Sequence, residues 1–441
     1  MSTVASAIRP EDDKTLAPLL ACDRELLAVG KKIRVLKAID WPQSMEATFM
    51  ASYEKGNPVL PQPPVRHPDL SSEIATLSAI MAKLDRGHPI GNWLFKTAWS
   101  YRTAAHMLMG VGTEQFTQCS TALYGRPDTI YRSQTSNAVD AAKDLLSISD
   151  DLISREEIPH VAANIPAEEF ARRLRERLGP FFDKDKVDVV LDPDLPSKAT
   201  AGSKSINLRA TALFSELDLE QLTEHEAFVH TATSLNGKHQ PYFKSLGLGA
   251  PRTTRTQEGL ATFSEIITGA IDLNRLRRIA LRVIAVNNAL HGADFIDVFR
   301  GFLDAGQTPV ESYQSAARIF RGGDPRGRIC FTKDGAYLEG VMIIYVFIRK
   351  VLQAGHVEML PMLFAGRVTT SDVITLSPYM QDGLIARAVY VPPWARNPQR
   401  ILSLMAFFTA AQRFRLDTFD LNRFVELEDE RIEESLQAAW K

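Results

Sequence analysis

Apolar residues recur along most of this chain every three or four positions, the signature of helices with one buried face. Over residues 14–39, Leu16, Leu19, Leu20, Leu26, Leu27, Ile33, Leu36 and Ile39 keep that spacing, and Trp41-Pro42 ends the run. A proline-rich connector from Pro58 to Pro68 reads as extended, crossing chain. Helical periodicity resumes over 71–84, 92–109, 138–152 and 167–178, with a turn at Tyr124-Gly125-Arg126-Pro127-Asp128. The pattern then changes: Val187 to Leu191 and Ala199 to Leu208 read as strands, with Gly202 marking a bulge in the second. Beyond them it is helical again, over 274–290, 293–303, 309–320, 334–352, 400–413 and 428–440, broken at Pro392-Pro393-Trp394. This order predicts a mostly α-helical α+β fold. A helical region, 1–165, precedes a region, 166–441, whose small sheet comes directly before one distinctive helix.

That helix carries His225-Glu226-Ala227-Phe228-Val229-His230. Asp218, with Gln221 three residues on, reads as its N-cap and Asn236-Gly237 as its stop. Two neutral imidazoles and a carboxylate hold zinc and leave a fourth position open. A carboxylate beside the first His is placed to act as a base. The spacing is i and i+5, which leaves the two rings about 140° apart on a regular helix. One widened, π-type turn brings them together, so such a turn is expected between them. Glu258, 33 residues after His225 and at the head of another apolar helical run, is where a third ligand belongs. The alternative is an exposed helix that happens to carry two histidines.

His225 to His230, followed by Gln257-Glu258-Gly259-Leu260-Ala261, resembles the flavohemoglobin expression-modulating QEGLA-motif proteins, bacterial relatives of the microtubule-associated tyrosine carboxypeptidases. The stretches Asn236-Gly237 to Pro241-Tyr242 and Phe331 to Tyr337 are similar to that family as well. The resemblance implies a zincin of the Glu-ligand type with one Zn2+ per chain. It implies His225, His230 and Glu258 as ligands, Glu226 as the catalytic carboxylate, and a peptide or protein C-terminal tail as substrate. Two alternatives stay open: a zinc aminopeptidase or dipeptidyl peptidase with the same metal set, and a regulatory protein that keeps its metal for structure.

A carboxypeptidase must hold a terminal carboxylate, and its tetrahedral oxyanion benefits from a nearby donor. Lys333 and Tyr337 are four residues apart on one helical face. They are candidates for substrate binding and catalysis respectively, against a capping Asp334 with an ordinary surface Lys-Tyr pair. Arg126 is a candidate anion contact in its turn. Ser203 to Asn207 is the candidate edge strand for pairing with an extended peptide, which names Ser203 and Asn207. Arg275, Arg278 and Arg282 share a face that reads as solvated or interdomain, because no aromatics interleave with them.

Composition narrows the classes. A net charge of −2 gives no general attraction to nucleic acid or anionic membrane. Cys22, Cys119 and Cys330 lie too far apart in sequence for a C-x-x-C pair, which argues against a thiolate metal site. The first twenty residues lack an apolar signal core, and the run Val341 to Ile348 is too short to span a bilayer. The expected compartment is the cytoplasm; the oligomeric state stays open.

Overall fold

In the computed structural model, which describes residues 14–130, 135–152, 162–195, 197–202, 204–411 and 413, the first amphipathic run is not one helix. It forms α1 (Leu16–Gly30) and a single turn at Val35–Ala38. Gly30 and two exposed lysines fall at the break, where helix propensity is weakest. Then come α2 (Ser44–Glu54), α3 (Ser71–Lys83), α4 (Pro89–Met109), α5 (Glu114–Tyr124), α6 (Ala138–Leu152) and α7 (Ala167–Leu178). The apolar periodicity does not announce α5, whose buried apolar residues are only Phe116, Leu123 and Tyr124.

The strands are β1 (Ile165–Pro166), β2 (Asp188–Asp192), β3 (Ala199–Ala201), β4 (Ser205–Arg209) and β5 (Leu213–Phe214). β1 pairs with β5, and the other three form a sheet ordered β2-β4-β3. β4 is its centre, parallel to β2 and antiparallel to β3. The single bulged strand expected over 199–208 is therefore two strands, turned at Gly202, whose N–H donates to the Ser205 carbonyl. Asn207 consequently sits mid-sheet, opposite both Val190 and Thr200, and not on an edge. Ser203 lies outside the described residues.

The distinctive helix is continuous through α8 (Glu216–Leu222), a π-helical stretch Thr223–Thr231, and α9 (Ala232–His239). Its N-cap is Ser215 rather than Asp218: the Ser215 hydroxyl accepts the Asp218 N–H while the Asp218 carboxylate accepts the Ser215 N–H. Asn236 does not end it either. Its buried amide donates to the carbonyls of Phe364 and Tyr390 and accepts from Val389 and Tyr390, so it packs the helix and the chain runs on to His239. Phe170, Leu174, Val189, Ile206, Leu208 and Phe214 bury this helix through Leu222, Ala227, Phe228 and Leu235. At about 1.5–3 kcal/mol per large apolar side chain, that core fixes the helix on the sheet.

After it come α10 (Thr254–Thr268), α11 (Leu273–Leu290), α12 (Phe295–Asp304), α13 (Pro309–Phe320) and α14 (Ala336–Gln353). α10 and α14 touch through two glycines: a Cβ on Gly259 would lie 2.2 Å from the Gly340 carbonyl carbon. Gly259→Ala must push the helices apart. The expected cost is about 1–3 kcal/mol or more, read as a lower thermal midpoint.

α1 is tied to the segment just after the distinctive helix. Buried Asp23 accepts the N–H and hydroxyl of Ser245. Burial pushes its carboxyl up to about 6, against which the Ser245 bonds only partly act. A folded-state pKa above the ordinary 3.8 means the native state holds that proton more tightly. The resulting stabilisation is complete below about pH 4 and is lost as pH rises through 6. Asp23→Asn, which mimics the protonated form, should match wild type near pH 4. By pH 7 it should be more stable by up to about 3 kcal/mol, measured as the difference in denaturant midpoint across that range.

The described residues before Asn397 form one compact unit, and those from Asn397 on form another, in which Pro398–Ala411 is helical. The helix expected over 428–440 lies outside the described residues. Among the described residues, no helix is long and apolar enough to cross a membrane.

Candidate metal centre and its cleft

The π-helical stretch does what the spacing requires. It brings the rings of His225 and His230 to a centroid separation of 4.8 Å, at 83° to each other. α10 supplies Glu258, whose Oε2 lies 3.7 Å from His225 Nε2 and 3.6 Å from His230 Nε2. The three candidate ligand atoms all lie within 4.8 Å of one another, a spacing that can hold a metal ion. Two imidazole nitrogens and one carboxylate oxygen are the donor set of an open zinc site.

The tautomer of His225 is set from behind. Its Nδ1 is 2.5 Å from Oε1 of Glu265, a fully buried carboxylate that also accepts from the guanidinium of Arg275. With Nδ1–H donated to Glu265, Nε2 is the nitrogen that faces Glu258 and His230, and it offers a lone pair to a metal once its own proton is released. Burial alone would push His225 down, but Glu265 and then Glu258 outweigh it and raise the metal-free ring to about 10. Burial likewise opposes ionisation of Glu265, yet Arg275 and His225 hold its carboxyl below the ordinary value. The Nδ1 of His230 is buried with no hydrogen-bond partner among the described residues.

Glu258 is gripped from the other side. Lys333 Nζ donates to its Oε1 at 2.7 Å. Against burial, Lys333 and then the two imidazoles hold this carboxyl well below the usual carboxylate range. Lys333 also lies 3.4 Å from the Tyr337 hydroxyl.

Glu226 leaves the π-helical stretch toward a cleft of about 1550 Å³ whose walls include Lys198, Ala199, His225, Arg275 and Tyr337. Its Oε2 accepts the backbone N–H of Ala201 at 2.9 Å. The edge strand beside the candidate ligands is therefore β3.

The far wall is cationic. Arg278 and Arg282 of α11, Arg318 of α13 and Arg321 just after it line it. Buried Asp334 accepts from Nε and Nη2 of Arg318, at 2.6 and 2.9 Å, and lies 3.8 Å from Arg282. Arg282 Nε and Arg321 Nε have no hydrogen-bond partner among the described residues. Burial, then Arg318, push Arg282 down to about 9, and burial followed by Arg318 also lowers Arg321. The face expected to be solvated or interdomain is a cleft wall with more guanidinium than carboxylate.

His225, Glu226, His230, Glu258, Lys333 and Tyr337 thus come together. Arg126 does not: it makes a bidentate pair with Asp128 at 2.9 and 2.8 Å, outside the cleft wall. Asn207 is held in the sheet centre. Sequence reasoning misses Glu265, although it follows Glu258 by seven residues and so shares its helical face. It also misses Arg318 and Arg321.

A family profile described as microtubule-associated tyrosine carboxypeptidase matches residues 47–413. No curated protein matches the chain.

Proposed function

Because the chain belongs to the microtubule-associated tyrosine carboxypeptidase family, we propose that it is a zinc peptidase that removes residues from the C-terminus of a peptide or protein tail, on a Glu-ligand zincin core. The observation that carries this reading is the convergence of His225, His230 and Glu258 beside a cleft into which Glu226 projects. The narrower kinship with QEGLA-motif proteins rests on Gln257 to Ala261. Those residues have physical work here: Gln257 accepts from Thr233, Glu258 is the carboxylate ligand, and Gly259 lets α10 meet α14.

Zinc held by these three residues would polarise the scissile carbonyl and make water nucleophilic near neutral pH. Glu226 takes the proton of the attacking water and returns it to the leaving amine. The Ala201 N–H keeps that carboxylate against the edge strand, along which an extended substrate pairs. Tyr337 accepts from Lys333, so its own hydroxyl proton is free to donate to the developing oxyanion. The terminal carboxylate goes to the cationic wall, where Arg278, Arg282, Arg318 and Arg321 line the cleft. This replaces Lys333 and Arg126 in that role, since Glu258 and Asp128 already engage them.

Digestion of a peptide library, read by mass spectrometry, tests the direction of cleavage. Stepwise loss from C-termini is expected. Loss from N-termini would transfer the site to an aminopeptidase, and amidated C-termini should be resistant because they carry no charge for the arginine wall. Glu265→Gln should lower zinc affinity by about 10–100-fold, the usual effect of losing a ligand's outer partner, as measured by competition with a chelator.

A further inference from the structure

Lys333 is a buried ammonium beside a site that is itself built to attract a cation. Its side chain is 10% exposed and that of Glu258 is 13% exposed, so water screens neither well. Placing a fixed positive charge there weakens the binding of any metal dication, and a site built for affinity alone would omit it. The geometry shows what is gained. Oε1 of Glu258 is engaged by Nζ at 2.7 Å, while Oε2 alone faces the two imidazoles. Carboxylates bind metals through one oxygen or through both. With Oε1 held, Glu258 has one oxygen to give.

We propose that Lys333 is a positioning residue that keeps Glu258 a one-oxygen ligand, reserving a coordination position for water and the substrate carbonyl. This rests on the zinc reading given above. The ammonium is held where the role needs it. The Thr332 N–H donates to Ser120 Oγ at 2.9 Å, and Asp334 on the other side is clamped by Arg318. Nζ also sits 5.0 Å above the Tyr337 ring, which limits its freedom to leave. Neither contact depends on metal, so the constraint on Glu258 is present before metal arrives. An ammonium that served only as counter-charge could bridge both oxygens; this one selects the oxygen turned away from the histidines.

Cobalt-loaded protein reports the coordination number directly, because four-coordinate Co2+ absorbs visible light several times more strongly than five-coordinate Co2+. Wild type is expected to show the strong, four-coordinate spectrum. Lys333→Met should still bind one Co2+ but lose most of that intensity as Glu258 swings to two-oxygen binding. Its kcat should fall with little change in KM. Lys333→Arg, which keeps a cation on Oε1, should restore the wild-type spectrum. A Lys333→Met spectrum identical to wild type overturns the role, as does a five-coordinate wild type. X-ray absorption of zinc-loaded wild type reads the same coordination number without any variant: four light-atom ligands are expected, and five overturn the role. Stoichiometric metal with either contrary result leaves the zinc reading standing; no stoichiometric metal in wild type removes both.

Discussion

Glu226→Gln should keep its fold and its zinc yet cleave peptides about 10²–10⁴-fold more slowly, the range lost with a general acid-base group. In energy this is about 3–5.5 kcal/mol of barrier. The amide keeps the shape of the side chain and can still accept from the Ala201 N–H, so β3 should not move. What it cannot do is take a proton from water. The two measurements needed are zinc content and kcat on one peptide. Undiminished cleavage by Glu226→Gln would remove the base from this mechanism.

The second large effect is on the metal. His225→Ala, His230→Ala and Glu258→Gln should each lose stoichiometric zinc and, with it, activity. Structural zinc sites bind with about 10–16 kcal/mol through four ligands, which is roughly 3 kcal/mol per ligand or about 10²-fold in affinity. A site with three protein ligands has little reserve against such a loss. The histidine variants should still differ in stability. His225→Ala strips a partner from Glu265, a carboxylate with no solvent exposure that is left with Arg275 alone. His230 Nδ1 has no partner to lose. His225→Ala is therefore expected to be the less stable protein, by about 1–3 kcal/mol, in a denaturant titration of the metal-free forms. Equal stabilities would mean that Glu265 does not hold the ring.

The pairing of the two candidate histidine ligands is legible in the sequence because its constraint is local. The i, i+5 spacing of His225 and His230 is incompatible with convergence on a regular helix, and the π-helical stretch Thr223–Thr231 is present where that conflict must be resolved. The mostly helical fold with a small sheet is legible for the same reason, since periodicity is set by near neighbours. The partners are not. Lys333 and Tyr337 announce themselves at i, i+4, but the carboxylate that engages Lys333 is 75 residues away. Arg275, Arg278 and Arg282 look like a solvated or interdomain stripe until α13 and the residue just after it bring Arg318 and Arg321 to the same cleft. Asn207 reads as an edge residue from sequence because a strand with one bulge and two strands joined by a tight turn share one apolar pattern. The antiparallel pairing of β3 with β4 and the hydrogen bond from Gly202 to Ser205 separate them.

One titration tests the metal centre most directly. Metal-free protein is given zinc in increments while release of the C-terminal residue from a free-acid peptide is followed in the same sample. The rate should rise in proportion to bound zinc and level off at one ion per chain, and a chelator should return it to zero. A rate that is independent of added zinc and indifferent to the chelator would contradict the assignment of His225, His230 and Glu258 as a catalytic metal centre.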